Sequence, residues 1–122
     1  MYISANTLKK DVQLLWENPS PSADFSAQTL DIDFSEYDFA MVTGVQSNGM
    51  SCIGIVPVPG SAPLSFSWVS GSQFYSPSRA IVTTVTSIQF GNGNDCFISN
   101  GNVTIAENAK TLIPQKIYGI KI

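Results

Sequence analysis

The feature that most constrains this chain is a recurring alternation of apolar and polar residues with a period of two. Within residues 29–35 and again within 64–68, leucine, phenylalanine and other apolar residues alternate with serine, threonine or aspartate. Successive side chains of a β-strand point to opposite faces, so the pattern predicts strands with one buried and one solvated face. By composition and pattern, further strands are predicted at 12–17 (where Leu15 interrupts the alternation), 37–46, 50–58, 80–90, 95–99, 102–106 and 115–121.

Turn-forming residues separate these segments. Asn48-Gly49 and Asn100-Gly101 predict hairpins, because a type I′ turn needs positive φ at both central residues. Loops are also predicted at 18–21, 57–60, 70–72 and 91–94. About eight or nine short strands predict an all-β fold, a single antiparallel β-sandwich of jelly-roll type spanning residues 1–122. Gly44, Gly54 and Gly119 fall inside strands, where they mark either bulges or a close approach of the backbone.

The composition supports one folded domain and excludes several functions. The 122 residues are 43% hydrophobic and only 12% charged, which is unlike disordered chains and unlike proteins built of long surface helices. Histidine is absent, which removes Ser-His-Asp and Cys-His catalysis and zinc sites that need imidazole. Six Lys and Arg residues in a chain of net charge −3 make no basic patch for nucleic acid. No cofactor and no metal site is predicted.

The sequence also bears on compartment. Residues 1–6 lack the charged start and apolar run of a signal peptide, and no apolar stretch is long enough to span a membrane. A soluble protein folded in a cytoplasm is therefore expected. Cys52 and Cys96 either pair or stay free, and the reducing compartment favours two buried free thiols.

Carboxylates and aromatic residues offer candidate sites with plainer alternatives. Asp31 and Asp33 form a pair that either binds Ca²⁺, acts as acid and base, or lies solvated on the polar face of a strand, which is favoured. No catalytic residue is assigned. The aromatic residues on apolar stripes are predicted to lie in the core: Trp16, Phe34, Phe66 and Trp68.

Two predicted loops carry the candidate ligand-binding residues. In loop 70–79 an aromatic pair either stacks on a sugar ring, packs within the loop, or contacts a neighbouring subunit. In loop 91–95 amide and carboxylate oxygens either bind a sugar hydroxyl or Ca²⁺, or belong to a plain turn. The candidate residues are Gln73, Phe74, Tyr75, Arg79, Asn92, Asn94 and Asp95.

Segments at both ends of the chain resemble a known family. Residues 15–22, 25–34 and 37–38, together with the closing run 113–121, resemble small domains of tailed-phage and prophage structural proteins, especially tail-fibre, baseplate-associated and receptor-binding proteins. The resemblance covers about residues 12–46 and 113–121 and transfers no catalytic residue. It implies a non-enzymatic virion component that is made in the host bacterial cytoplasm and assembles as a homotrimer. It further implies other virion proteins as partners and contact with host cell-wall polysaccharide.

Two alternatives to a tail-fibre module stay open. A capsid decoration protein or head fibre would bind only other virion proteins. A glycan depolymerase would need two carboxylates in a cleft, for which a single small sandwich has little room.

Overall fold

Residues 11–122 are described by a computed structural model, in which they form a sandwich of ten strands, all paired antiparallel. The strands are β1 (Val12–Glu17), β2 (Gln28–Asp31), β3 (Phe39–Gln46), β4 (Ser51–Pro57), β5 (Gly60–Ser65), β6 (Trp68–Ser70), β7 (Gln73–Thr84), β8 (Ser87–Ser99), β9 (Asn102–Ala109) and β10 (Leu112–Ile120). One sheet has four strands in the order β1-β10-β3-β4. The other has six, along the path β2-β8-β7-β5, with β6 added to β7 and β9 to β8. The predicted antiparallel β-sandwich is confirmed.

The β7–β8 hairpin is longer than the sandwich and changes its neighbours along its length. Near its turn, β7 pairs with β5 and β8 pairs with β2. Farther out, β7 pairs with β6 and β8 pairs with β9. We call the outer part the arm: β6, residues 73–77 of β7, residues 95–99 of β8, and β9. It continues the sheet past the segments that pair with β5 and β2.

The core lies between the two sheets and draws on both. Buried and less buried residues alternate along β3 and β4, because successive side chains of a strand point to opposite faces. The buried cluster contains Phe25, Phe34, Ala40, Val42, Cys52, Val56, Leu64, Ile81, Ile88, Phe90, Leu112, Ile113 and Ile117. Burying such side chains stabilises the fold by about 1.5–3 kcal/mol each relative to exposure, so this cluster is the main source of cohesion between the sheets.

The interruption at Leu15 has a structural counterpart. The register of β1 against β10 shifts between Leu14 and Trp16, which marks a bulge. Leu15 and Trp16 both pack against the core, while Leu14 remains 49% exposed. The bulge therefore turns Trp16 inward, away from the face of Leu14.

The two predicted Asn-Gly hairpins differ in detail. Asn100 and Gly101 both have positive φ and join β8 to β9, as a type I′ turn requires. Of Asn48 and Gly49, only Gly49 has positive φ, so the hairpin between β3 and β4 is present but the predicted type I′ turn is wrong there. The Gly49 N–H donates to the Gln46 carbonyl at 2.7 Å, which closes the turn by another route.

The single strand predicted over 80–90 is wrong, because the chain reverses at Val85 and Thr86. That turn has no Gly, Asn or Pro to announce it. The Thr84 and Ser87 hydroxyls lie 2.7 Å apart across it, and its two carbonyls accept the N–H groups of Phe34 and Ile32. Contacts with a distant segment therefore stabilise a turn that local sequence does not encode. The strand predicted at 29–35 likewise stops at Asp31, where the chain leaves β8.

Two glycines allow close packing, as one of the two predicted explanations requires. A Cβ at Gly119 would lie 2.6 Å from the Tyr37 ring, and one at Gly44 would lie 2.9 Å from the Leu64 side chain. Both cysteines are free thiols, as predicted, although only Cys52 is buried. Within residues 11–122, no helix has the length and apolar character needed to cross a membrane.

Candidate functional site

The two loops predicted to carry the site are strands instead. Residues 73–79 lie in β7 and 91–95 lie in β8, where they pair with each other: Pro77 opposes Asp95 and Ser78 opposes Asn94. Gly91, Asn92 and Gly93 predict a loop wrongly, because they lie where the pairing of β7 with β8 is irregular. The register shifts between Arg79 and Ile81, so two residues of β8 face one of β7. Glycine and asparagine therefore mark a bulge in this sheet rather than a loop.

Pairing divides the candidate residues between the two faces of the sheet. On β7, Tyr75 and Arg79 lie on the face that carries the core, whereas Ser78 lies on the other face. Asp95 of β8 lies on the core face too, because it is paired with Pro77. Asn94 and Phe74 lie on the opposite, outer face. Gln73 is exposed beside the tight turn at Gly71 and Ser72. The seven residues therefore do not form one site, although Tyr75 and Asp95 do meet.

An aromatic cleft lies where the core face of the arm is no longer covered. It is open, has a volume of about 360 Å³, and is lined by Asn48, Met50, Trp68, Tyr75 and Phe97. The registers of β6, β7 and β8 place the three aromatic residues in one row across the sheet. The ring centroids of Tyr75 and Phe97 are 6.2 Å apart at 69°, an edge-to-face contact. The other wall is the β3–β4 hairpin, where the Asn48 Oδ1 accepts the Met50 N–H at 3.1 Å.

A polar network fixes Tyr75 beneath this cleft. The Gln46 Nε2 donates to the Tyr75 hydroxyl at 2.6 Å, and that hydroxyl donates to the Asp95 Oδ2 at 3.1 Å. Gln46 also donates to the Thr111 hydroxyl at 3.0 Å. The network thus ties the arm to β3 and to the chain leading into β10. It holds the Tyr75 ring in place, so a ligand meets a preorganised surface.

The electrostatics of the network keep Tyr75 neutral. Loss of hydration, the nearby Asp95 charge and the hydrogen bond to Asp95 raise the pKa of Tyr75 to about 12. The Gln46 Oε1 and the Asp95 Oδ1 are buried without a hydrogen-bond partner, so each retains accepting capacity. At neutral pH the cleft therefore presents uncharged aromatic surface above a single carboxylate.

Arg79 is where the structure differs most from the predicted site. It is 1% exposed, and its guanidinium donates to the carbonyls of Phe25, Gly91 and Leu112 at 2.8–2.9 Å. It also lies over the Phe25 ring, 5.2 Å from the centroid. Desolvation lowers the pKa of Arg79, as expected for a buried cation. Its side chain joins the loop before β2, the bulge of β8 and the start of β10, and it is not placed to bind sugar hydroxyls from an exposed loop.

A second groove lies on the outer face. It has a volume of about 500 Å³, and Ser61, Ser78, Asn92 and Asn94 are among its lining residues. The Asn92 Oδ1 accepts the Ala27 N–H at 3.0 Å, so one predicted ligand-binding group is engaged within the protein. This groove offers hydroxyl and amide groups but no aromatic platform.

The acidic pair is solvated, as the sequence favours. Asp31 and Asp33 are both exposed. Hydrogen bonding from the Ser35 side chain and from the Ser35 N–H, which the Asp33 carboxylate accepts at 2.9 Å, lowers the pKa of Asp33. Across the described part of the chain, no three His, Cys, Asp or Glu side chains come together as metal ligands.

Most of the cleft was not identifiable from the sequence. Trp68 was predicted to lie in the core, but it lines the cleft, because β5 ends at Ser65 and the chain enters the uncovered arm. The other predicted core aromatics are correct: Phe34 is fully buried, and Trp16 and Phe66 pack against the core. Asn48 and Met50 carried only a turn signal. The one usable signal was Tyr75 in a segment rich in aromatic and small polar residues.

Comparison with known proteins adds no identity. No family model, no curated protein and no solved structure matches the chain.

Proposed function

We propose that this chain is a non-enzymatic binding module of a phage tail fibre or receptor-binding apparatus, and that it holds a neutral saccharide of the host surface in the aromatic cleft. The observation that carries the proposal is the row of Trp68, Tyr75 and Phe97 on an uncovered face, with Tyr75 fixed by hydrogen bonds. Aromatic rings bury the apolar face of a sugar ring, while Asn48 supplies an amide for its hydroxyl groups.

The chemistry of the cleft favours a neutral ligand over a charged one. Tyr75 is uncharged at neutral pH, and its hydroxyl is engaged with Gln46 and Asp95. Asp95 is the acidic group of this network, and its negative charge would oppose phosphate or uronate. The resemblance to phage structural proteins supplies the setting: a homotrimer in the virion, bound to other virion proteins. Three shallow clefts in one trimer strengthen a weak contact through multivalency.

A fluorescence titration tests the cleft. Replacing Trp16 by Phe leaves Trp68 as the only tryptophan, and purified cell-wall polysaccharides from a panel of Gram-positive bacteria are then added. At least one polysaccharide is expected to change the Trp68 emission in a saturable manner. The single variant Trp68→Ala, made in the native chain, is expected to lose its retention on that polysaccharide in a pull-down.

The matched control is Val69→Ala, since Val69 is the neighbour of Trp68 on the opposite face and is 67% exposed. This variant is expected to bind like the native chain. Retention that is unaffected by Trp68→Ala, or no response to any polysaccharide of the panel, would contradict saccharide binding at this cleft.

The second candidate function is a capsid decoration or head-fibre protein that binds only virion proteins. It is favoured by the exposed apolar side chains on the outer sheet faces, such as Ile53 at 62% and Ile105 at 61%. Presence of the chain on purified capsids after removal of tails would support it over the tail module.

A further inference from the structure

The outer face of the four-stranded sheet is apolar over its full width. The registers of β1, β10, β3 and β4 align two complete rows on this face: Val12, Ile120, Phe39 and Pro57, then Leu14, Tyr118, Met41 and Ile55. The side chains at the two edge strands are the most exposed, with Leu14 at 49% and Ile55 at 56%. The opposite face of the same sheet is the core.

A sheet that is apolar on both faces differs from an ordinary sandwich sheet. Antiparallel sheets commonly pack one face on the core and keep a polar face in water. The outer face of the six-stranded sheet is mixed, since it carries Ser61, Ser78 and Asn94 as well as the exposed Val69, Val103 and Ile105. The four-stranded sheet instead has the composition of a central layer, with a covering layer on each side.

The size of the face suits a specific interface. Four strands spaced about 4.8 Å apart and about eight residues long give a footprint of roughly 19 Å by 26 Å, or about 500 Å² before side-chain relief is added. The two apolar rows take up about half of this footprint, and the Glu17–Lys116 row extends it. A standard interface takes about 800 Å² from each partner and has an apolar centre with a polar rim, so the face supplies the centre of such a contact and part of its rim.

The charges on the face limit the choice of partner. Beyond the apolar rows, the next row contains Glu17 paired with Lys116, followed by Thr43 and Ile53. One acid and one base side by side fit neither a strongly charged partner nor an anionic surface. They do fit a second copy, because Glu17 of one chain can approach Lys116 of the next.

We infer that further copies of this chain cover this face, arranged around an axis that runs along its strands. Rotation about such an axis keeps every row at its own height, so apolar rows meet apolar rows and the Glu17–Lys116 row meets its equivalent. Each copy then supplies the missing layer of its neighbour. The inference rests on the homo-oligomer part of the proposed function and assigns the surface that builds it.

Light scattering after size-exclusion chromatography of the full chain tests this surface. Ile55→Glu and Leu14→Glu place a charge on the two edge strands of the face. Each is expected to weaken association by at least about tenfold, because a charge inside an apolar contact lacks a partner. The matched control is Ile105→Glu on β9, which is also an edge-strand isoleucine of similar exposure and is expected to keep the native mass.

Circular dichroism and thermal melting accompany each variant, and the two edge positions give independent folded variants if one is unstable. A native chain that stays monomeric at high micromolar concentration overturns the inference and the proposed oligomer together. An oligomer that survives both Ile55→Glu and Leu14→Glu overturns only the assigned surface. The polysaccharide titration on the same variants reports separately on the cleft, so failure of saccharide binding is distinguished from failure of assembly.

Discussion

The two halves of the β7–β8 hairpin have the same antiparallel backbone pairing but differ in how far their side chains are buried. Near the turn, the core face of the hairpin carries Ile81, Ile88 and Phe90, all fully buried. In the arm, the same face carries Tyr75 and Phe97, which are only half-buried and line an open cleft. What differs is the layer opposite, since the four-stranded sheet covers the first half and its β3–β4 turn only borders the second.

Under the proposed function, the arm gives the sandwich a binding surface without an added loop. A strand that outgrows its partner sheet presents side chains of core type to solvent. Strand pairing holds these side chains rigidly, which lowers the entropic cost of binding. The arm is thus expected to contribute little to stability and much to recognition, and the covered half the reverse.

The largest difference is expected from one substitution made in both halves of β8. Phe90→Ala should lower the free energy of unfolding by about 3–5 kcal/mol, because it empties a packed site in contact with Phe25. Phe97→Ala should cost only about 1 kcal/mol, since a half-buried side chain forfeits about half of the 1.5–3 kcal/mol of full burial. Urea unfolding measures both, and equal losses would mean that the arm is packed as tightly as the sandwich.

A smaller loss of unfolding free energy is expected from Arg79, whose side chain links three segments of the covered half by hydrogen bonds. Arg79→Met keeps an apolar stem but leaves the carbonyls of Phe25, Gly91 and Leu112 without this donor. The expected cost is about 3 kcal/mol in the same urea experiment, from buried acceptors that lose their partner. Lys110→Met, an exposed cation, is the control and should stay within about 0.5 kcal/mol. A neutral result for Arg79→Met would show that water replaces the guanidinium at all three carbonyls.

The smallest effect is a pH dependence that belongs to the arm. Tyr75 has an ordinary pKa of 10.0 and a folded-state pKa of about 12, so between these values the folded chain binds more protons than the unfolded chain. Stability is therefore expected to fall as pH rises through this window. Thermal melting of Tyr75→Phe against the native chain isolates the contribution, and the variant should show the shallower decline. An unchanged slope would place Tyr75 outside the coupled network.

Prediction from the sequence succeeded where local pattern and tertiary environment agree. The strands at 37–46 and 50–58 are predicted from runs of apolar and β-branched residues on either side of Asn48-Gly49, and both form, as Phe39–Gln46 and Ser51–Pro57. It failed at 80–90 because the turn at Val85 and Thr86 is held by the N–H groups of Ile32 and Phe34, which lie far away in sequence. The candidate site failed in the same way, since Arg79 and Tyr75 look alike as members of a polar segment but have different layers opposite them.

The sequence by itself determined that this chain is all-β and antiparallel, because a period of two with closely spaced turn residues is typical of sandwiches and small barrels. It also determined that any function avoids imidazole chemistry. Only the tertiary structure decided which apolar residues remain uncovered. Trp68 and Ile55 carry the same apolar signal as core residues, and their exposure depends on where the opposite sheet ends and on which face of the sheet they occupy, relations between strands that no local pattern records.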